Sequence, residues 1–223
     1  EPQESMQRIS LFESDEDLGK YLALGLNSEY DSEIQFSPKD LILVGGRKGT
    51  GKSLTCANIA SNVFAAGRSA VYFTIEMDSR SILQRCCSIA TGIPYSRLRT
   101  KNLSVLEWEK VAGWQAERFE NGQEKLKEYK SHRDFERFHT SLTSSCQLLP
   151  TRQLDVIYDP SLNLSKIRVE LDKIMASKMD PAVIIVDYIN QVKRSAVPSR
   201  AGQYDWTEQI EVSKALKSMA QEY

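Results

Sequence analysis

The sequence predicts an α/β fold in which helices flank a central, mostly parallel sheet. Four short apolar runs, at residues 41–44, 70–75, 154–158 and 182–186, have the length and composition of strands. Patterns of helical period separate the runs, and this alternation is typical of a doubly wound sheet. With 223 residues, of which 41% are hydrophobic, the chain can form one large domain of this class.

Composition restricts where the protein works and what it binds. The net charge is -1, so no overall positive field attracts nucleic acid, and any DNA contact has to come from local loops. No signal peptide or membrane-length apolar run is present, which favours a cytoplasmic protein of a bacterial cell or of a phage-infected host. Four cysteines without paired spacing are expected to be free thiols: Cys56, Cys86, Cys87 and Cys146.

The N-terminal part is predicted to lie outside the core. Residues 15–27 carry apolar side chains at helical spacing, and residues 28–37 form a polar connector. The apolar stripe of the helix covers either its own domain or a neighbouring subunit, and the sequence leaves both open. We therefore divide the chain into a tail with a linker helix, 1–37, and a core, 38–223.

A phosphate-binding pattern follows the first apolar run. The segment G-G-R-K-G-T-G-K-S contains the full G-x-x-x-x-G-K-[ST] motif of a P-loop, from Gly46 to Ser53. Its glycines let the backbone bend so that successive N–H groups converge on one anion. The helix predicted at 54–66 directs its positive end at the same place.

Two side chains of this motif have separate roles in the predicted site. Lys52 is expected to reach the β- and γ-phosphates, and the Ser53 hydroxyl is expected to bind Mg²⁺. The predicted cofactors are therefore ATP, or another nucleoside triphosphate, and Mg²⁺. The residues predicted to surround the nucleotide here are Gly46, Arg47, Lys48, Gly49, Thr50, Gly51, Lys52, Ser53 and Leu54.

An acid follows the second predicted strand. Glu76 lies at the carboxyl end of the run 70–75, the edge of a parallel sheet at which ligands bind. A carboxylate there can orient and deprotonate the water that attacks a γ-phosphate. Alternatively, Glu76 is an acid before the helix predicted at 79–90 and is favoured by the helix dipole alone.

The middle of the chain predicts helices with a charged surface. Basic and acidic residues alternate through 103–138, which favours an ion-paired, solvated helix face over a nucleic-acid site. A polar loop is predicted at 141–152, a strand at 154–158 and an amphipathic helix at 162–179.

A second acid follows the last predicted strand. The run 182–186 ends at Asp187, a Walker-B pattern in which a carboxylate holds Mg²⁺ through water. Asn190 is either a sensor of the γ-phosphate or a loop-capping residue. The loop at 191–204 either contacts a phosphate backbone or is solvated, and a helix is predicted at 205–223. The basic residues of that loop are Lys193, Arg194 and Arg200.

Four motifs together carry a resemblance: G-G-R-K-G-T-G-K-S, T-I-E-M-D-S-R-S-I-L-Q-R, V-I-I-V-D-Y-I-N and E-V-S-K-A-L-K-S-M-A-Q-E. From about residue 40 to 223 the chain resembles the ATPase domain of DnaB-type replicative DNA helicases, including their bacteriophage relatives. The resemblance implies a RecA-like P-loop NTPase core within a hexameric homo-oligomer. It also implies that this assembly hydrolyses nucleotide to move along single-stranded DNA, with a primase or helicase loader as partner.

The resemblance also implies roles for matched residues. Lys52 and Ser53 would hold the phosphates and Mg²⁺, Glu76 would be the catalytic carboxylate, and Asp187 would be the Walker-B acid. Arg85 matches a structural arginine, and the helix before residue 28 corresponds in position to one that docks on the next subunit. Two features differ: Asn190 stands where the family has Gln or His, and the insert around 121–152 is longer than in bacterial members.

Some expectations concern a larger protein and other classes of ATPase. The chain starts without methionine and stops inside a helical pattern, so we expect a fragment whose arginine finger and main DNA-binding loop lie beyond Tyr223. Such a fragment should bind ATP and hydrolyse it slowly. The alternatives are a RecA-like recombination or repair ATPase and a regulatory or loader ATPase that does not unwind DNA. A small-molecule kinase is disfavoured because Glu76 suits water activation.

Overall fold

A three-stranded parallel sheet forms the centre of the computed structural model. The structure describes residues 21–34, 36–192 and 206–223, with only the backbone of 206 and 207. The strands are β1 (Ser69–Thr74), β2 (Leu154–Tyr158) and β3 (Pro181–Asp187), and their order is β2-β1-β3. The helices are α1 (Ser28–Glu33), α2 (Lys52–Ala65), α3 (Ser79–Thr91), α4 (Tyr95–Thr100), α5 (Val105–Ala116), α6 (Gly122–His132), α7 (Phe135–Ser145), α8 (Leu164–Ala176) and α9 (Trp206–Glu222).

This architecture confirms the α/β prediction. Helices separate every pair of consecutive strands, as parallel pairing requires, because a parallel strand can be reached only by a crossover. The strands predicted at 70–75, 154–158 and 182–186 are β1, β2 and β3 to within one residue at either end. None of the described helices combines the length and apolar character needed to cross a bilayer.

Both faces of the sheet are covered by helices. On one face Tyr72 and Ile185 pack with apolar residues of α2 and α3. On the other face Val71 and Phe73 pack with residues of α8 and α9. Since successive side chains of a strand point to opposite faces, a strand buried on both faces is mostly apolar. All six residues of β1 are buried, and β1 is the central strand.

The charged middle segment forms a small helical unit of its own. Helices α5, α6 and α7 enclose a third apolar cluster that contains Tyr129, Phe138 and Leu142. On the outside of α6, Lys125 pairs with Glu128 at 3.1 Å, as the ion-paired prediction expects. The prediction of a loop at 141–152 is wrong at its start, because α7 continues to Ser145. Burial of Leu142 stabilises this last turn despite the serines and threonines around it.

The N-terminal prediction is wrong where the structure describes it. Most of the helix predicted at 15–27 lies outside the described residues, but 21–27 are not helical: Leu22 forms an antiparallel bridge with Phe36. The segment predicted as a connector contains α1, whose N-cap is Asn27. The Asn27 side chain accepts hydrogen bonds from two N–H groups of the first turn, and asparagine is a strong N-cap. The division at residue 38 stays a prediction.

The strand predicted at 41–44 is also wrong. This segment has no assigned strand structure, and it pairs with none of β1, β2 and β3. Leu43 is 68% exposed, whereas a central strand would bury it. An apolar run favours a strand only where a neighbouring strand supplies hydrogen-bond partners and a packing surface. No strand of the described part of the chain does this for 41–44.

Candidate nucleotide-binding and active site

The loop before α2 has the shape expected of an anion-binding turn. Gly49 and Gly51 have φ of 81° and 93°, a region that residues with a Cβ adopt only with strain. The N–H and the hydroxyl of Thr50 both donate to the carbonyl oxygen of Arg47, at 3.3 and 2.8 Å. A Cβ on Gly46 would lie 2.5 Å from Thr50 Oγ1, so a side chain there would displace the Thr50 hydroxyl.

The positive groups of this loop are close together. Helix α2 begins at Lys52, two residues earlier than predicted, and its N-cap Gly51 provides no side-chain cap. The first N–H groups of the helix therefore lack acceptors within the helix, which makes the helix end a site for an anion. The Lys52 ammonium donates to the carbonyl oxygens of Gly46 and Arg47, at 2.8 and 2.9 Å. The ammonium is thus held over the loop, where phosphate oxygens could replace the two carbonyl oxygens as hydrogen-bond acceptors.

The remaining residues of the motif are accessible to a ligand. Arg47 and Lys48 are exposed, and Leu54 is 49% exposed on the first turn of α2. The Ser53 hydroxyl makes no hydrogen bond within the described part of the chain, so it is free to bind a ligand.

The two predicted acids emerge from the same edge of the sheet. Thr74, the last residue of β1, is opposite Asp187 of β3 and Tyr158 of β2. The N–H of Ile75 donates to the carbonyl oxygen of Asp187 at 3.2 Å, so the two strands end together. Glu76 follows immediately. The structure therefore places Glu76 and Asp187 at the carboxyl ends of adjacent parallel strands.

A short turn presents Glu76. The Thr74 hydroxyl donates to the carbonyl oxygen of Met77 at 2.8 Å and accepts from the Met77 N–H at 3.2 Å. This pair of bonds fixes the turn between β1 and α3. The Glu76 side chain is exposed and makes no hydrogen bond or ion pair to any described residue. Its carboxylate is available to accept a proton from water.

Asp187 has a different environment. It is only 7% exposed, and its Oδ2 accepts a hydrogen bond from the Tyr72 hydroxyl at 2.7 Å. Its other oxygen, Oδ1, accepts none from the described residues. Burial, followed by the negative charge of Asp187, raises the pKa of Tyr72 far above its ordinary value. Tyr72 is therefore a neutral donor.

Asp187 also lies close to the P-loop helix. Burial, and then the charge of Asp187, raises the pKa of the Cys56 thiol to about 11. Cys56 lies on α2, one helical turn after Lys52. Because α2 packs on the sheet face that carries Tyr72, the carboxylate and the start of the helix share one side of the sheet.

Asn190 lies just beyond β3. It belongs to a short 3₁₀ helix (Ile189–Gln191), and its side chain is exposed. The backbone carbonyl oxygen of Asn190 accepts a hydrogen bond from the side-chain amide of Gln209, in α9, at 3.4 Å. This bond connects the turn to α9. The basic residues predicted to contact a phosphate backbone, Lys193, Arg194 and Arg200, lie outside the described residues.

The donor set fits a metal ion that arrives with a nucleotide. The described residues contain no group of three or more His, Cys, Asp or Glu side chains that could hold a metal ion by themselves. Mg²⁺ in phosphate sites takes only one or two protein ligands and completes its shell with water and phosphate oxygens. The free oxygens of Ser53 and Asp187, at the start of α2 and the end of β3, are of this kind.

The sequence reasoning missed three residues of this edge: Tyr72, Thr74 and Cys56. Tyr72 carried a detectable signal, because a tyrosine inside a strand buried on both faces needs a partner for its hydroxyl. Thr74 gave a weaker one, as a polar residue at the end of an apolar strand. We find no sequence signal for Cys56. The Arg85 guanidinium lies 6.0 Å from the centre of the Tyr95 ring, and the structural role of Arg85 stays a prediction.

Comparison with known proteins identifies the family of the chain. The family model described as the DnaB-like helicase C-terminal domain matches residues 28–223. A probable replicative DNA helicase of Trieres chinensis is 24% identical over 209 residues, which are 92% of this chain and 38% of the relative. The replicative DNA helicase DnaB of Buchnera aphidicola is 26% identical over 204 residues, 89% of this chain and 36% of the relative. A replicative DNA helicase of Bacillus subtilis is 24% identical over 188 residues, 84% of this chain and 34% of the relative.

The chain thus spans well under half the length of these relatives. The family match nevertheless covers the P-loop, both acids that follow strands and the whole described sheet. The chain therefore belongs to the DnaB-like helicase C-terminal domain family.

Proposed function

We propose that this chain is the motor domain of an ATP-dependent replicative DNA helicase. Such a motor hydrolyses nucleotide to move along single-stranded DNA and separate duplex strands. The observation that carries the proposal is the common position of the P-loop helix, Asp187 and Glu76 at one edge of the sheet. The names of the relatives support the choice of a replicative helicase among P-loop ATPases.

Each residue of the site has one task in the proposed reaction. The loop N–H groups and the Lys52 ammonium would bind the phosphates. Ser53, and Asp187 through water, would hold the Mg²⁺ ion. When bound, Mg²⁺ neutralises charge on the phosphate oxygens. Glu76 accepts a proton from a water molecule. The oxygen of that water forms a bond to the γ-phosphorus, and the bond between the γ-phosphorus and the bridging oxygen breaks. The products are inorganic phosphate and the nucleoside diphosphate.

The proposal also covers the nucleotide, the DNA track, the assembly, the partner and the location. We propose ATP as the nucleotide, single-stranded DNA as the track, and a hexameric ring as the assembly. A primase or a helicase loader is the proposed partner, and the cytoplasm is the proposed location. They are supported by the resemblance of the four motifs and by the family match.

Strand displacement by the full-length protein tests this function. We expect it to separate a forked DNA duplex when ATP and Mg²⁺ are present, and we expect Lys52→Ala to lose this activity. Removing hydrogen bonds to a charged phosphate should weaken nucleotide binding on the order of ten- to a hundredfold. Lys127→Ala, which removes an exposed lysine of α6, is the matched control and should unwind normally.

Other outcomes would identify another class of ATPase. Hydrolysis that is stimulated by a partner protein but yields no strand separation would indicate a regulatory or loader ATPase. Filaments on DNA without unwinding would indicate a recombination protein.

A further inference from the structure

A tyrosine hydroxyl buried in the described part of the core reaches the candidate site. Tyr72 has 0% of its surface exposed and lies in the central strand, paired with β2 and β3 on either side. The surrounding cluster consists of apolar residues of α2, α3 and the sheet. A phenylalanine would fill this space equally well. The hydroxyl therefore has a purpose other than packing, and its partner is Asp187 Oδ2, at 2.7 Å.

The strand register makes this contact possible. Tyr72 is opposite Ile185 of β3, and Asp187 is two residues further along the same strand. Residues two apart project from the same face of a sheet, so Tyr72, Ile185 and Asp187 lie on the side of α2. A diagonal neighbour of this kind is within reach of a long aromatic side chain. The tyrosine thus extends beneath the end of β3 and meets the carboxylate from inside the protein.

This contact restricts the carboxylate. The terminal torsion of an aspartate is soft, so an unrestrained carboxylate samples a broad range of orientations. A hydrogen bond from a fully buried hydroxyl fixes Oδ2, because Tyr72 is itself held by packing on all sides. The second oxygen, Oδ1, accepts no hydrogen bond from the described residues and is left for a ligand.

We propose that Tyr72 is a positioning residue, whose hydroxyl orients Asp187 so that its second oxygen faces the water shell of nucleotide-bound Mg²⁺. This inference rests on the proposed function, because it requires Asp187 to serve the metal ion. Tyr72 itself touches neither nucleotide nor water in this scheme. Its effect passes through one hydrogen bond, and so it should alter the metal dependence of the site and leave phosphate binding by the P-loop in place.

The test compares the Mg²⁺ dependence of variants of the full-length protein. The Mg²⁺ concentration that gives half-maximal binding of a fluorescent, non-hydrolysable ATP analogue is measured at fixed analogue concentration. For Tyr72→Phe we expect this concentration to rise about tenfold, since loss of a hydrogen bond to a charged group costs roughly one order of magnitude in an equilibrium constant. Binding of the analogue in EDTA should not change. ATP hydrolysis by Tyr72→Phe should be slower than that of the unmodified protein at low Mg²⁺ and should recover when the Mg²⁺ concentration is raised.

Tyr129→Phe is the matched control. Tyr129 is also buried, at 1% exposure, but lies in the helical unit of α5, α6 and α7. The Tyr129→Phe variant also loses a tyrosine hydroxyl, and its Mg²⁺ dependence should equal that of the unmodified protein. In the double variant Tyr72→Phe with Asp187→Asn, the tyrosine change should have no further effect on metal dependence, because both substitutions remove one interaction.

The outcomes separate this inference from the proposed function. An unchanged Mg²⁺ dependence of Tyr72→Phe, with or without a lower Tm, would overturn the positioning role and leave the hydrogen bond a structural one. Additive effects in the double variant would overturn it as well. Loss of folding by Tyr72→Phe, seen by circular dichroism, would also contradict it, because the proposal assigns the hydroxyl no part in packing. If Asp187→Asn alone leaves Mg²⁺ dependence unchanged, the metal role of Asp187 in the proposed function is the part that fails.

Discussion

Two carboxylates at one edge of the sheet have opposite environments. Asp187 is buried and held by Tyr72, whereas Glu76 is exposed and unpaired among the described residues. A fixed, buried carboxylate suits a metal shell, because its geometry is set before the ion arrives. An exposed carboxylate without a partner suits proton transfer, because it can accept a proton from the attacking water. In the sequence both residues are simply acids that follow apolar runs.

Replacement of Glu76 tests this difference. Glu76→Gln should bind nucleotide normally and lose hydrolysis by about a hundred- to ten-thousandfold, the usual contribution of a general base. Nucleotide binding and phosphate release are measured with the full-length protein and DNA. Glu120→Gln is the matched control, since Glu120 is another exposed glutamate and lies between α5 and α6. Normal hydrolysis by Glu76→Gln would show that the catalytic assignment is wrong.

At the scale of elements, the caps and contacts of the helices decide where the site residues stand. The Asp78 side chain accepts hydrogen bonds from the N–H and the hydroxyl of Ser81, at 2.9 and 2.8 Å, and so begins α3. The turn that carries Glu76 is thus fixed by Thr74 on one side and by this cap on the other. The helical unit of α5, α6 and α7 contains a close backbone contact in addition, at Gly122.

The cap of α3 should make stability depend on pH. Hydrogen bonds from Ser81 lower the pKa of Asp78 below its ordinary value of 3.8. The cap therefore contributes its full stability above that pH and loses it as the pH falls through the lower pKa of the folded state. Asp78→Asn keeps an acceptor at the cap but does not titrate. The free energy of unfolding, measured by urea denaturation, should fall less steeply below pH 3.8 in this variant. Equal slopes would contradict the argument.

The helical unit offers a matched pair of glycines. A Cβ on Gly122 would lie 2.0 Å from the carbonyl oxygen of Ala116, a backbone atom that cannot move aside alone. Gly122→Ala should therefore destabilise the protein by about 1–3 kcal/mol. A Cβ on Gly113, within α5, would meet its nearest neighbour, Leu126 Cδ2, at 3.8 Å.

Gly113→Ala should accordingly stabilise the protein by about 0.5–1 kcal/mol, because alanine restricts the unfolded chain. Both variants are compared by urea denaturation followed by circular dichroism. Effects of the same sign would show that the backbone contact at Gly122 is not the cause.

At the scale of the whole molecule, packing of α2 and α3 on the sheet controls the chemistry of the cysteines. Cys86 and Cys87 lie on the inner side of α3, and Cys56 lies on α2. Burial raises the pKa of their thiols to about 11 for Cys56 and Cys86 and to about 12 for Cys87. Cys146 lies in the separate helical cluster and is only partly buried.

Thiol labelling measures this protection. At pH 8 a thiol of pKa about 11 is ionised in roughly one molecule in a thousand, and only the thiolate reacts. An alkylating reagent should therefore modify Cys146 first and the partly buried Cys56 more slowly, because its pKa is raised. Cys86 and Cys87 are buried and should react only when the sheet and its helices separate. Mass spectrometry of the labelled peptides gives the rates. Labelling of Cys86 as fast as Cys146 would contradict the described packing of α3.

The sequence by itself determined the features that depend on residues close together in the chain. These are the P-loop from Gly46 to Ser53, the positions of β1, β2 and β3, helix α3 and the acids at positions 76 and 187. Periodicity and spacing carry this information, since a motif of neighbouring residues needs no knowledge of distant partners.

Tertiary structure alone decided whatever depends on partners far apart in the chain. The apolar run at 41–44 pairs with none of the described strands, and residues before Asn27 form a bridge to Phe36 where a helix is predicted. The bond between Tyr72 and Asp187 joins residues 115 positions apart. The physical reason is common to all three. Strand pairing and buried hydrogen bonds are set by which segments meet in the folded core, and local propensity does not specify that meeting.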